Sequence, residues 1–128
     1  MKFIYSVVRF VPDTFRGEFV NVAVIAGSEE TGEWLVRRVG NTRHPQRLDP
    51  TTPITPVWAY LDGVVAVIDS LGDDAGTSEF GELNRDWLEA EHQRLGNIVQ
   101  LTSPRAMVAD SVEAAAASMF EQFVVDQP

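Results

Sequence analysis

Phe3-Ile-Tyr-Ser-Val-Val-Arg-Phe-Val11, Pro12-Asp-Thr-Phe-Arg-Gly-Glu18 and Phe19-Val-Asn-Val-Ala-Val-Ile25 decide the fold of this chain. The outer segments are rich in β-branched and aromatic residues, and the middle one carries a proline and a glycine among charges, so two strands flank a polar elbow. On an extended backbone Phe19, Asn21, Ala23 and Ile25 share one face, and Glu18, Val20, Val22 and Val24 share the other. Both faces are apolar, which marks a central strand. Asn21 is the exception. A buried carboxamide without partners costs roughly 1–3 kcal/mol. The elbow is the nearest supply of polar groups, so Asn21 is expected to tie down the Pro12–Glu18 loop, with Arg9, Asp13, Arg16 and Glu18 paired across it. The competing reading makes the elbow an anion or peptide site, with Arg16 as a planar donor fork.

Working outward, Gly27 to Gly32 reads as a turn and residues 33–39 as a third strand closed by Gly40-Asn41. Short connections between adjacent strands favour an antiparallel meander. The proline-rich stretch from Pro45 to Pro56 reads as a loop leading into a helix. Thr55 is placed as that helix's N-cap and Pro56 as its first residue. Val57, Trp58, Leu61, Val64, Val65, Ile68 and Leu71 form its stripe, and Gly72 ends it. A second helix is expected from Ser78 to about Leu95. A short strand is expected over 97–101, and a last helix opened by the Asp110/Glu113 capping box, with Val112, Ala116, Met119, Phe120 and Phe123 as its stripe. The order βββ-αα-β-α predicts an α+β fold: an antiparallel sheet of three to four strands covered by about three amphipathic helices in a two-layer arrangement.

Length and composition agree with this reading. The chain has 128 residues with 45% hydrophobic content, enough for one domain with a real core. It has no cysteine, which excludes disulfides, thiolate nucleophiles and zinc–thiolate sites. No apolar run is long enough to cross a membrane, and Met1-Lys2-Phe3 leads into a strand and not into a signal sequence, so a cytoplasmic location is expected. Charge is unevenly spread: residues 1–50 carry 7 basic and 6 acidic side chains, whereas residues 51–128 carry 3 and 13. So acidic a C-terminal portion repels phosphate backbones and disfavours nucleic acid. The local exception is Arg37, Arg38, Arg43 and Arg47 with His44. This is a solvated loop edge by default and a weak anion or nucleic-acid site as the alternative.

Other chemistry is sparse. His44 and His92 have no ligand spacing around them, so no metal site is expected, and His92 is read as a solvated helix residue. There is no Gly-x-Ser-x-Gly elbow, no phosphate-binding glycine loop and no serine with an evident base, and therefore no catalytic residue or cofactor to assign. Thr102-Ser-Pro-Arg105 follows the fourth strand. Arg105 is placed on a loop there, from which it joins Arg16 if that strand pairs inside the sheet.

Two stretches carry a resemblance. Tyr5-Ser-Val-Val-Arg-Phe-Val-Pro-Asp13 with Arg16-Gly-Glu-Phe-Val-Asn-Val-Ala-Val24, and Leu101-Thr-Ser-Pro-Arg105 with the closing helix of Phe120 and Phe123, resemble the family called domain of unknown function 3037. Ala23 stands where relatives commonly have glycine, and Ser103 where they have alanine. The resemblance implies a bacterial or phage protein, a polar set of Arg16, Glu18, Asn21 and Arg105, and a gene neighbour of the HipA-like kinase type. Together these readings lead to a non-catalytic interaction module whose partner is another protein, with self-association as a variant. The alternatives are an enzyme or anion binder in which Arg16 and Arg105 grip the ligand and Glu18 acts as acid or base, and a nucleic-acid binder acting through Arg37 to Arg47.

Overall fold

A computed structural model describes residues 1–13, 16–40, 43–73 and 83–127, except for the side chains of residues 43, 44, 46 and 71–73. In chain order the elements are β1 (Lys2–Asp13), β2 (Glu18–Gly27), β3 (Trp34–Arg38), α1 (Arg43–Leu48), α2 (Thr55–Asp73), α3 (Arg85–Arg94), β4 (Val99–Leu101), β5 (Arg105–Val108) and α4 (Val112–Phe120). A π-helical turn, Glu121–Val125, continues α4. The fold is α+β, and every strand pairing is antiparallel.

The meander β1-β2-β3 forms as the alternation predicts. β2 lies between β1 and β3, and β1 is equally interior, because β4 and β5 share its other edge. Pro12 does not end β1. The register slips between Phe10 and Asp13, and this irregularity takes up a residue that cannot donate to a ladder.

β5 is a fifth strand, so Arg105 opens a strand and does not project from a loop. Thr102 makes this possible. Its N–H donates to the Val7 carbonyl at 2.9 Å, and its Oγ1 accepts from the Val7 N–H at 2.8 Å. The hydroxyl thus does the work of a ladder carbonyl where Ser103 and Pro104 break the pairing, and the ladder resumes at Tyr5 opposite Arg105.

Helices cover both faces of the sheet, giving three layers instead of the expected two. On one face Ile4, Val8, Phe10, Val22 and Ile25 pack against Val57, Leu61 and Val64 of α2 and Leu88 of α3. On the other face Tyr5, Val7, Val24 and Ala26 meet Ala116 and Met119 of α4 and Val124 of the π-turn. Interior strands that are apolar on both faces demand this, since either face left open would expose a continuous hydrophobic surface.

Helix starts shift where capping competes. Ile54, not Thr55, accepts the first α2 hydrogen bond, from Trp58 N–H at 3.3 Å, so Pro56 falls one position later and still owes no N–H. α3 begins after Asn84, whose extended backbone and side chain, accepting from Trp87 N–H, form its N-cap. The expected cap, Ser78, lies outside the described residues. Ser111, one residue after Asp110, caps α4 by accepting from Ala114 N–H. The first four residues of the proline-rich stretch are themselves helical, as the end of the six-residue helix Arg43–Leu48.

Candidate functional site

The polar set centres on Asn21, which is 9% exposed in β2. Its Nδ2 donates to the Phe123 carbonyl in the π-turn at 2.9 Å. Gln127 answers from the other side: its Oε1 accepts from Asn21 N–H at 2.9 Å, and its Nε2 donates to the Asn21 carbonyl at 2.7 Å and to the Val124 carbonyl at 2.7 Å. β3 is last bonded to β2 through Val39 N–H and the Val22 carbonyl, so the Gln127 carboxamide takes the place of a third strand one residue beyond that ladder's end. The two amides also satisfy carbonyls that a helix end leaves without partners.

This corrects the expectation that Asn21 ties down the elbow. Its partners are the π-turn and Gln127, which lie across the sheet face and not along the chain. Gln127 was not among the predicted residues, because a single glutamine after an apolar helix carries no pattern that points to a strand 106 positions earlier.

Arg9 is the cross-strand partner of Asn21, and its guanidinium lies 4.0 Å above the ring of Phe19, which is itself 44% exposed. Stacking on an aromatic face holds this cation, which has no ion-pair partner among the described residues. Burial draws the Arg9 pKa down. Its Nε and the Asn21 Oδ1 are both buried and, among the described residues, have no hydrogen-bond partner. At the elbow Gly17 has φ +68°, the left-handed conformation a tight reversal needs. Asp13 and Arg16 form an exposed pair at 3.7 Å, and Glu18 is exposed opposite Asp13 in the register. Exposed pairs of this kind contribute little to stability.

Arg105 does not join this group. It lies opposite Tyr5, whereas the elbow lies beyond Asp13. Eight residue steps along β1 separate the two positions, roughly 25 Å at strand spacing. A ligand gripped by Arg16 and Arg105 together is therefore not available.

The basic segment divides as well. Arg37 lies over Phe120 of α4 at 5.2 Å, while Arg38 lies over Trp58 of α2 at 5.6 Å and bonds Asp62 at 2.8 Å. Neighbours on a strand point to opposite faces, so these two cations fasten β3 to two different layers and do not make one patch. Arg47 is exposed on α1, and the Arg43 side chain lies outside the described residues.

Two acid–base residues have positions that the sequence did not indicate. His92 Nδ1 lies 2.6 Å from the Leu101 carbonyl, which can only accept, so Nδ1 carries the hydrogen and docks α3 on β4. It is thus not a free surface residue. Glu89 accepts from Gln93 at 3.2 Å and from Ser103 at 3.1 Å, and these bonds hold its carboxyl below the usual range. The Ser103 contact fastens α3 to the Thr102–Pro104 break. Among the described residues no group of three or more acidic or histidine side chains is placed to hold a metal ion. No described helix is long and apolar enough to cross a membrane.

The profile of a family described as "Protein of unknown function (DUF3037)" matches residues 5–124 of the chain. No curated protein and no solved structure matches it.

Proposed function

The chain belongs to the DUF3037 family, and we propose that it is a small protein-interaction module, without catalysis of its own, that presents an acidic surface to a basic partner protein. One observation carries this reading: three cations of the N-terminal part are engaged by aromatic rings of the fold, while acids of the C-terminal part face solvent without a partner among the described residues. Arg9, Arg37 and Arg38 each lie on an aromatic ring. Asp69, Glu113, Glu121 and Asp126 are exposed, and among the described residues their carboxylates make no hydrogen bond or ion pair. With a net charge of −9, the outward field attracts a basic protein surface and repels nucleic acid. The setting is taken to be the cytoplasm of a bacterium or its phage, with a kinase of the HipA-like type as one partner to try first.

Immobilised protein is expected to capture a basic protein from a lysate at about 50 mM salt and to release most of it by about 500 mM, as screened charge pairs require. A variant with Asp69→Asn, Glu113→Gln, Glu121→Gln and Asp126→Asn should keep its fold and lose most of that capture. Capture that survives the variant unchanged, or no specific capture at either salt concentration, would overturn the reading.

A further inference from the structure

Among the described residues the outer edge of β5 is an unpaired ladder. Met1 and Ala109 exchange both main-chain hydrogen bonds at 3.0 Å, so they form a hydrogen-bonded pair of the β1–β5 ladder. In an antiparallel ladder such pairs recur at every second residue, which makes Phe3–Met107 and Tyr5–Arg105 the next two. Ala106 and Val108 therefore turn their N–H and C=O groups away from β1. No described strand pairs with them on that side. Val108 is also the most exposed large apolar residue described, at 79%, and Met1 beside it is 54% exposed. The other strand sharing this edge is guarded, since α3 reaches β4 through His92 and the Leu101 carbonyl. At the opposite edge of the sheet, β3 ends in charged Arg37 and Arg38, the usual device against edge pairing. β5 has only Arg105.

We infer that β5 pairs antiparallel with β5 of a second copy of this chain about a two-fold axis through Met107, joining the two sheets edge to edge. The free groups set the register. Ala106 of each copy exchanges hydrogen bonds with Val108 of the other, giving four intermolecular bonds, and Met107 lies opposite its own counterpart. The charges are self-complementary in that arrangement. Arg105 stands at one end of the strand and Asp110 just past the other, and among the described residues neither has an ion-pair partner. Antiparallel apposition sets each Arg105 opposite Ala109 and next to Asp110 of the other copy. Parallel apposition would set Arg105 against Arg105, and it would not close as a two-fold dimer.

The test is sedimentation of the intact chain over about 1–500 µM at about 0.5 M salt, where the like net charges of the two copies are screened. Ala106→Pro removes only an outward N–H, which an edge strand tolerates, and Val108→Lys places an edge charge at a solvent-facing position. Circular dichroism and the denaturant midpoint should show both variants folded as the parent. The parent is expected to dimerise with concentration, and each variant to raise the dimer dissociation constant by about tenfold or more, Ala106→Pro through the loss of two ladder bonds and Val108→Lys through the charge it sets on the joined edge. A parent that stays monomeric throughout overturns the inference, as does a dimer that Ala106→Pro leaves unchanged. Capture of a foreign peptide strand by a monomeric parent, abolished by Ala106→Pro, would give the edge to a different occupant and overturn it equally. High salt suppresses the charge-driven capture proposed above, so the two readings fail separately.

Discussion

Asn21→Ala is expected to lower the free energy of unfolding by about 1–3 kcal/mol, read as a shift in denaturant midpoint with an unchanged slope. The substitution leaves the Phe123 carbonyl without its donor and opens a small void between β2 and the π-turn. One term offsets this, because the unpartnered Asn21 Oδ1 disappears with the side chain. Gln127→Ala should cost a similar amount, since it frees the Asn21 N–H and carbonyl together with the Val124 carbonyl. Both amides hold the same segment, so the double variant should lose less than the two single losses combined. Once residues 121–127 have lifted, the second amide has nothing left to hold. Unchanged melting in Asn21→Ala would mean that the carboxamide is kept for a ligand. The elbow would then return as a site, with Arg9 as its cation.

Gly27→Ala should be at least as damaging. Gly27 is paired with Ile4 on one side and Trp34 on the other, and the Trp34 indole lies flat where a Cβ would project, overlapping it at three ring atoms. Trp34 is buried in the main core. Overpacking of this kind costs about 1–3 kcal/mol, and more where the displaced group is a rigid ring. The loss should appear in the denaturant midpoint and as a changed near-ultraviolet circular dichroism signal from displaced tryptophan. Adding Trp34→Leu should recover part of the Gly27→Ala loss, since the smaller side chain clears the methyl. Full stability in Gly27→Ala would show that the indole is not seated on this glycine.

The parts of this architecture that local chemistry encodes are readable from the chain itself. Alternation and apolar content give the β1-β2-β3 meander, and the stripe from Val57 to Ile68 gives α2. Apolar residues on both faces of β2 already require cover on both sides. Nothing local says which helix goes to which side, so the assignment of helices to the two outer layers emerges only from packing. β5 has four residues after a proline, and its strand character comes from pairing with β1 across the Thr102 bridge. The expected cap of α3, Ser78, lies outside the described residues, and Asn84, which was not expected as a cap, opens the described helix.

The candidate site follows the same division. Asn21 stands out because a carboxamide among valines must be bonded to something. What bonds it could not be read from the sequence, since Phe123 and Gln127 supply a carbonyl and a flexible amide from more than a hundred residues away. Arg105 was misplaced for the converse reason. A loop residue is free to approach the elbow, whereas a strand residue is fixed by register at the far end of β1. Arg9 was identified, but its aromatic partner Phe19 was not expected to hold it. The buried amide and the stacked arginines are used for fastening, and among the described residues the exposed C-terminal acids and the outer edge of β5 carry the two proposals made above.

Hydrogen exchange at the Asn21 main-chain amide is the most direct test, because that proton is held by the Gln127 side chain and not by another strand. It should exchange slowly in the parent, and at least about tenfold faster in Gln127→Ala. The Val24 amide, inside the ladders, should be unaffected. An Asn21 amide that exchanges as fast in the parent as the exposed turn at Glu30, or at the same rate in both proteins, would contradict the account.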